Sequence, residues 1–218
     1  LRDNPRRLLT KRLCPEFFRV QRNIKVGGGE FSAIGNRFLL SHPFRLQVQC
    51  SRSLSEEQIA KVNEASEKVA ILRSANMSLG INTLIELLKK AALVFAPAGY
   101  DMEIVEKHHN LKLDAPSGTA IALADSMNEA LDNAYEYKYD RSQERKQREK
   151  MEIGISAVRG GNIVGEHEVF FCGQDEVIEF KHTAYSKAVF AKGAVEAAKF
   201  LAGKPAGMYD MADVIAAK

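Results

Sequence analysis

Residues 106–119 read Glu106-Lys107-His108-His109-Asn110-Leu111-Lys112-Leu113-Asp114-Ala115-Pro116-Ser117-Gly118-Thr119. The stretch joins two periodicities. Upstream, Asp101 to His109 alternates and predicts a strand. Met102, Ile104, Glu106 and His108 share one face; Glu103, Val105, Lys107 and His109 share the other. Downstream, Pro116 sets up a turn, and Ser117-Gly118-Thr119 opens a helix running to about Ala134, with Ser117 as its N-cap. Free backbone N–H groups at a helix start, backed by the helix dipole, form a ready anion site. Gly118 has no side chain, so a ligand can approach its backbone closely. His108 and His109 can hold or donate protons near neutral pH, and Lys112 adds positive charge. Acid groups beside an anion hole point to protonation of a small molecule that carries carboxylates.

Outward from this stretch, Ser55 and Gln58 form a capping-box pattern, and Ile59, Val62 and Ala65 continue a helix to about Lys68. Val69–Leu72 is a short apolar run suited to a buried strand. Ile81 to Phe95 carries Leu84, Leu87, Leu88, Ala91 and Ala92 on one stripe, an amphipathic helix that Pro97 and Gly99 end. Residues 137–150 are polar and basic and read as a mobile loop. Strands are predicted at 151–158, 163–171 and 177–183, joined as hairpins through 159–162 and 173–176. Residues 186–201 form a last long helix, and 210–216 add a turn or two. The expected fold class is α/β: a remnant of a Rossmann-type dinucleotide-binding domain plus an α+β substrate domain built on a mixed four-stranded sheet.

The chain has 218 residues, 45% apolar and 27% charged, enough for a globular core. No apolar run approaches the ~20 residues that span a membrane. Cys14, Cys50 and Cys172 show no metal spacing, which predicts reduced thiols and a cytoplasmic protein. The net charge of +3 is uneven: residues 1–50 hold ten Lys and Arg against three Asp and Glu. These basic residues lack regular spacing and interleaved aromatics, so no nucleic-acid partner is expected.

Residues 1–53 show no persistent period and are expected to be poorly ordered. Their Arg-rich, acid-poor start is compatible with a transit peptide, but it is poor in Ser. The chain opens at Leu1, and a fragment, chimera or out-of-frame translation fits equally. Gly27-Gly28-Gly29 is the only glycine cluster there, and no convincing helix follows it.

Other polar residues have plainer readings. His167, between Glu166 and Glu168, reads as a cross-strand polar position, and His182 likewise. Arg159 with Gly160-Gly161 reads as a turn. The run Arg141 to Arg148 reads as a solvated loop, with closure over an anionic ligand as the alternative. His108, His109 and Asp114 match no common zinc spacing, so no metal is expected.

The run from Glu106 to Thr119 also resembles the signature of the dihydrodipicolinate reductase family. The likeness continues through Val158–His167, Phe190–Ala194 and Gly207–Met211, and covers roughly 54–214. It implies reduction of 4-hydroxy-tetrahydrodipicolinate by NADPH or NADH in lysine and diaminopimelate synthesis, by a homotetramer assembled through the sheet of its substrate domain. It implies His108 as proton donor and Lys112 as its partner. His109, Ser117, Gly118 and Thr119 would bind the dicarboxylate, and Ser74, Ala75, Asn76 and Met77 would form a cofactor loop. Residues 54–74 and 191–218 would be the remnant of the dinucleotide-binding domain, and 75–190 the substrate and oligomerisation domain. The family's glycine-rich turn is not legible in residues 1–53, where Cys50-Ser51-Arg52-Ser53 stands in the expected place. That departure implies impaired turnover, or a catalytically silent dicarboxylate-binding or assembly module.

Overall fold

The structure is a computed structural model that describes residues 55–218 in full and, before them, the backbone of four strands. These are β1 (Lys25–Val26), β2 (Gly29–Ile34), β3 (Arg37–Leu40) and β4 (Gln47–Cys50). A period that was not legible in residues 1–50 is thus strand over part of its length. Gly27 and Gly28, residues 51–53 and the possible transit segment lie outside the described residues. Then follow α1 (Glu56–Ser66), β5 (Ala70–Ser74), α2 (Leu79–Phe95), β6 (Asp101–His108), α3 (Gly118–Ala130), β7 (Glu136–Tyr139), β8 (Glu152–Arg159), β9 (Gly165–Cys172), β10 (Val177–Ala184), α4 (Ala188–Leu201), β11 (Gly207–Tyr209) and α5 (Met211–Ala216).

Two sheets result. One has the order β1-β2-β3-β4-β5-β11, with β4 and β11 both parallel to β5. The other has the order β10-β9-β6-β8-β7, with β6, β8 and β7 parallel to one another and β9 antiparallel to both β6 and β10. This second sheet is mixed, as expected, but has five strands rather than four. The additional strand is β7, Glu136-Tyr137-Lys138-Tyr139, which overlaps the start of the stretch read as a loop. Four residues with charges at alternate positions give too little apolar signal to betray a short edge strand. A second correction concerns β8 and β9, which are not a hairpin. β6 lies between them, so residues 160–164 cross over it. The β9–β10 hairpin is as predicted, closed by the Gly173 N–H to Glu176 C=O bond at 2.8 Å.

Local chemistry explains the helix ends. Ser55 and Gln58 make the reciprocal capping box at α1. Ser78 caps α2 and Ser117 caps α3 by accepting from the third residue onward. α3 stops at Ala130, short of Ala134, because the Asn128 side chain bonds both the N–H and the C=O of Tyr135. Asp132 and Asn133 take positive φ in the resulting turn.

Two apolar cores form. In one, Leu84, Leu88 and Ala92 of α2 and Leu123 and Met127 of α3 pack on Met102, Ile104, Ile153, Val169 and Phe171 of the five-stranded sheet. Leu87 lies off this stripe and is about half exposed. In the other, Ala194, Ala197 and Leu201 of α4 and Met211 and Val214 of α5 pack on Ala70, Leu72 and Met77. α4 approaches the turn after β5 closely: a Cβ on Gly193 would sit 1.5 Å from the Met77 carbonyl oxygen. Only glycine permits that contact.

Candidate active site

β6 carries its functional groups on the face that points into the core. Met102, Ile104, Glu106 and His108 are buried, as the alternation requires. The strand ends at His108, so His109 lies beyond it, half-buried, and the two rings are freed from a common strand geometry. The Gly160 N–H donates to the His108 carbonyl at 2.9 Å, and the Asn110 N–H donates to the Gly161 carbonyl at 3.2 Å. These bonds fix the crossover loop against the strand end.

Glu106 is fully buried and has three donors. His108 Nδ1 lies 2.5 Å from Oε2. Arg159 grips both oxygens with its fork, at 2.8 and 2.6 Å. The Ser117 N–H donates to Oε1 at 2.9 Å. Burial alone would raise the Glu106 pKa, but the bonds from His108, Arg159 and Ser117 outweigh it and hold the carboxyl at about 2. Arg159 also donates to the Asp114 carbonyl at 2.6 Å, which ties the following loop to the same point.

Ser117 is committed to the protein itself. Its Oγ accepts from the Ala120 N–H at 3.1 Å and lies 3.1 Å from His167 Nε2. His167 stacks edge-on to His108, with ring centroids 5.2 Å apart. Burial first, and then the neighbouring His108, push its pKa down to about 3, so His167 is neutral. The cross-strand reading of His167 is correct in register, since it pairs with His182 and Glu106, but the residue faces the core beside His108.

Lys112 meets Asp114 at 2.7 Å rather than His108. The Asp114 carboxyl is tugged upward by burial and, more strongly in sum, downward by Lys112 and by backbone N–H groups that include Gly118. The two groups expected to grip a foreign carboxylate therefore already grip one of the chain's own. Thr119 Oγ1 accepts from Asn76 Nδ2 at 3.0 Å, which joins the start of α3 to the turn after β5.

That turn divides its four residues. Ser74 and Ala75 line a cleft of about 410 Å³ with Arg73, Met208, Tyr209, Asp210 and Asp213. The cleft opens at the carboxyl ends of the parallel strands β5 and β11, where open α/β sheets bind nucleotides. Asn76 and Met77 turn inward: Asn76 Oδ1 accepts from the Ser78 N–H at 2.8 Å, and Met77 is in the core.

Sequence reasoning missed Glu106, Arg159 and His167 as site residues. Glu106 was findable, because a carboxylate on the apolar face of a strand needs partners. Arg159 and His167 gave no such signal, since only the crossover brings them to β6.

The fold and site together define an α/β protein with a buried histidine–carboxylate centre beside a helix start, and a cleft at the carboxyl ends of parallel strands in its other sheet. The family model described as "Dihydrodipicolinate reductase, C-terminus" matches residues 80–215, and the chain belongs to this family. It is similar to the 4-hydroxy-tetrahydrodipicolinate reductase of Caldanaerobacter subterraneus subsp. tengcongensis, with 55% identity over 168 residues, 77% of this chain and 66% of the relative. It is also 48% identical to that of Clostridium novyi over 171 residues, 78% of this chain and 67% of the relative. The chain thus spans about two thirds of the length of these relatives. The solved structure of a dipicolinate-bound dihydrodipicolinate reductase from Paenisporosarcina sp. TG-14 shares the fold, with a TM-score of 0.58 at 23% identity over 75% of this chain and 62% of that one.

Proposed function

We propose that this chain supplies the dicarboxylate-binding and proton-donating part of an NAD(P)H-dependent reduction of 4-hydroxy-tetrahydrodipicolinate to tetrahydrodipicolinate, in lysine and diaminopimelate synthesis. The observation that carries the reading is the 3.0 Å bond between Asn76 and Thr119. It ties the turn whose first residues line the cleft to the helix start that would hold the substrate, which supports a transfer between two bound molecules.

His108 acts as the acid, and His109 contacts the ring substituents. The N–H groups of Gly118 and Thr119 and the ammonium of Lys112 hold one substrate carboxylate, which displaces Asp114 from that position. Ser117 anchors the helix start through Glu106 and His167. Ser74 and Ala75 would border NADPH or NADH, with Arg73 as the nearby cation, while Asn76 and Met77 support the turn. The cofactor, when bound, supplies the hydride; the residues named here bind, orient and protonate.

The unit formed by 54–74 and 191–218 serves the cofactor, and 75–190 serves the substrate and a homotetrameric assembly in the cytoplasm. Among the described residues, no helix is long and apolar enough to cross a membrane.

The test is NADPH and NADH oxidation by the purified chain, with substrate generated in situ, alongside binding of pyridine-2,6-dicarboxylate. Turnover that falls far more than analogue binding in His108→Gln is the expected result. Analogue binding without turnover in the parent chain supports instead a silent binding module. Loss of neither property in His108→Gln or Thr119→Val removes the site assignment.

A further inference from the structure

We propose that Glu106, gripped by Arg159, fixes the tautomer of His108, so that Nδ1 permanently carries a proton and Nε2 is the nitrogen that exchanges protons with a ligand. Glu106 and Arg159 are then positioning residues. The inference deepens the reading of His108 as an acid and goes beyond it by naming the working atom and what selects it.

Three observations carry it. First, the Nδ1–Oε2 separation of 2.5 Å admits only one arrangement for an ionised carboxylate, because such a group accepts and never donates. Second, Glu106 cannot rotate away. Its two oxygens already receive the Arg159 fork and the Ser117 N–H, and its side chain is wholly shielded while that of His108 keeps 10% exposure. Arg159 is held in turn through the Val158 and Asp114 carbonyls, at 2.7 and 2.6 Å. Third, a glycine stands against the opposite edge of the ring. A Cβ on Gly165 would lie 3.1 Å from Nε2, tighter than ordinary van der Waals contact, so the residue facing this nitrogen carries no side chain. An imidazole tied at one nitrogen and cleared at the other has its orientation, its tautomer and its exchanging atom set before any ligand arrives. Preorganisation of this kind removes a reorganisation step from proton transfer.

The experiment is long-range ¹⁵N–¹H correlation of the histidine side chains in the full chain at neutral pH, which reads the tautomer of each ring without needing turnover. The parent is expected to show His108 protonated at Nδ1, with that proton downfield and slow to exchange. In Glu106→Gln, the amide oxygen is drawn to the Ser117 N–H and one Arg159 nitrogen, and its NH₂ then faces Nδ1. His108 is expected to change to the Nε2–H form in a chain whose far-ultraviolet circular dichroism matches the parent. Glu106→Asp keeps the charge for Arg159 but withdraws it by one methylene, and should populate Nε2–H partially. This variant decides the matter if the glutamine variant does not fold. A parent in the Nε2–H form, or a folded variant that keeps the parental tautomer, overturns the proposal. A chain that never oxidises NAD(P)H yet passes this test leaves the tautomer assignment standing and fails only the catalytic reading.

Discussion

The two faces of β6 put the same chemistry in opposite settings. On the inner face, Glu106 is fully buried, and three donors converge on it. On the outer face, one pleat back, Glu103 is 29% exposed and takes Arg141 and Arg148 at 3.0 Å each. Both are Glu–Arg arrangements on one strand. Water decides the difference between them. The inner carboxylate has no solvent to fall back on, so every donor is obligatory. The outer one shares its partners with solvent, so each contact is replaceable. The inner cluster accordingly holds rings and a helix start in register, while the outer one ties a loop to a sheet.

The largest break in this comparison is Glu106→Ala. It leaves the partly buried Arg159 guanidinium without its anion and the Ser117 N–H without its acceptor. A loss of about 3–5 kcal/mol in unfolding free energy is expected, the scale for removing one partner of a buried pair. Urea unfolding measures it, and a loss near that of an outer-face charge would erase the distinction between the faces.

Acid should expose the inner face next. His167 is neutral in the fold down to about pH 3, whereas the unfolded chain protonates it near its ordinary 6.5. Below about pH 6.5 the unfolded state therefore binds a proton that the folded state refuses, and stability falls as pH drops. One such proton is worth roughly 1.4 kcal/mol per pH unit within the window. His182, also held down by burial, adds in the same direction. Glu106 adds again between about 4.5 and about 2, because there the unfolded chain protonates this carboxylate while the folded chain keeps it ionised. In His167→Gln, the slope of stability against pH between 6 and 5 should lose close to one proton's worth. An unchanged slope would show that His167 titrates freely.

The sequence carried the inner face well where the information was local. The alternation through Met102, Ile104, Glu106 and His108 and the Ser117 cap are each read from a few adjacent residues, and both stand in the structure. What was not legible depends on sequence-distant pairing. Arg159 and His167 reach Glu106 and Ser117 only because β6 inserts between β8 and β9, and a hairpin was the economical reading of so short a connection, 159–162. β7 was missed because an edge strand of four residues needs little apolar surface. Arg141 and Arg148 looked like solvated loop charges, yet they fold back on Glu103 and Glu152 across the sheet. That pairing needs Gly154 opposite Glu103, a register fact.

Gly154 gives the first outer-face prediction. A Cβ there would lie 1.7 Å from Glu103 Oε2. In Gly154→Ala the Glu103 side chain must swing aside and give up Arg141 and Arg148. Because the obstructing atoms belong to a flexible chain end, the expected loss is about 1–3 kcal/mol, below that of Glu106→Ala. The 140–150 loop should become more susceptible to proteolysis while the His108 tautomer spectrum stays unchanged. A change at His108 would show that the two faces are coupled through β6.

The smallest effect belongs to Lys107, whose ammonium lies 2.8 Å from Glu168 and 3.7 Å from Glu166 on the outer face. Lys181 bonds the same Glu168 oxygen at 2.5 Å, so a cation remains when Lys107 is removed. Bonds from Lys107 and Lys181 hold the Glu168 carboxyl below its ordinary range, and one of the two survives in Lys107→Ala. A loss of about 0–1 kcal/mol is expected in dilute protein, fading as salt is raised. The same variant also probes the proposed assembly. If this uncovered sheet face meets other copies, the charge network is desolvated there, and the effect of Lys107→Ala grows with protein concentration. If the face stays in water, the effect is the same at every concentration, and the proposed assembly does not use this face.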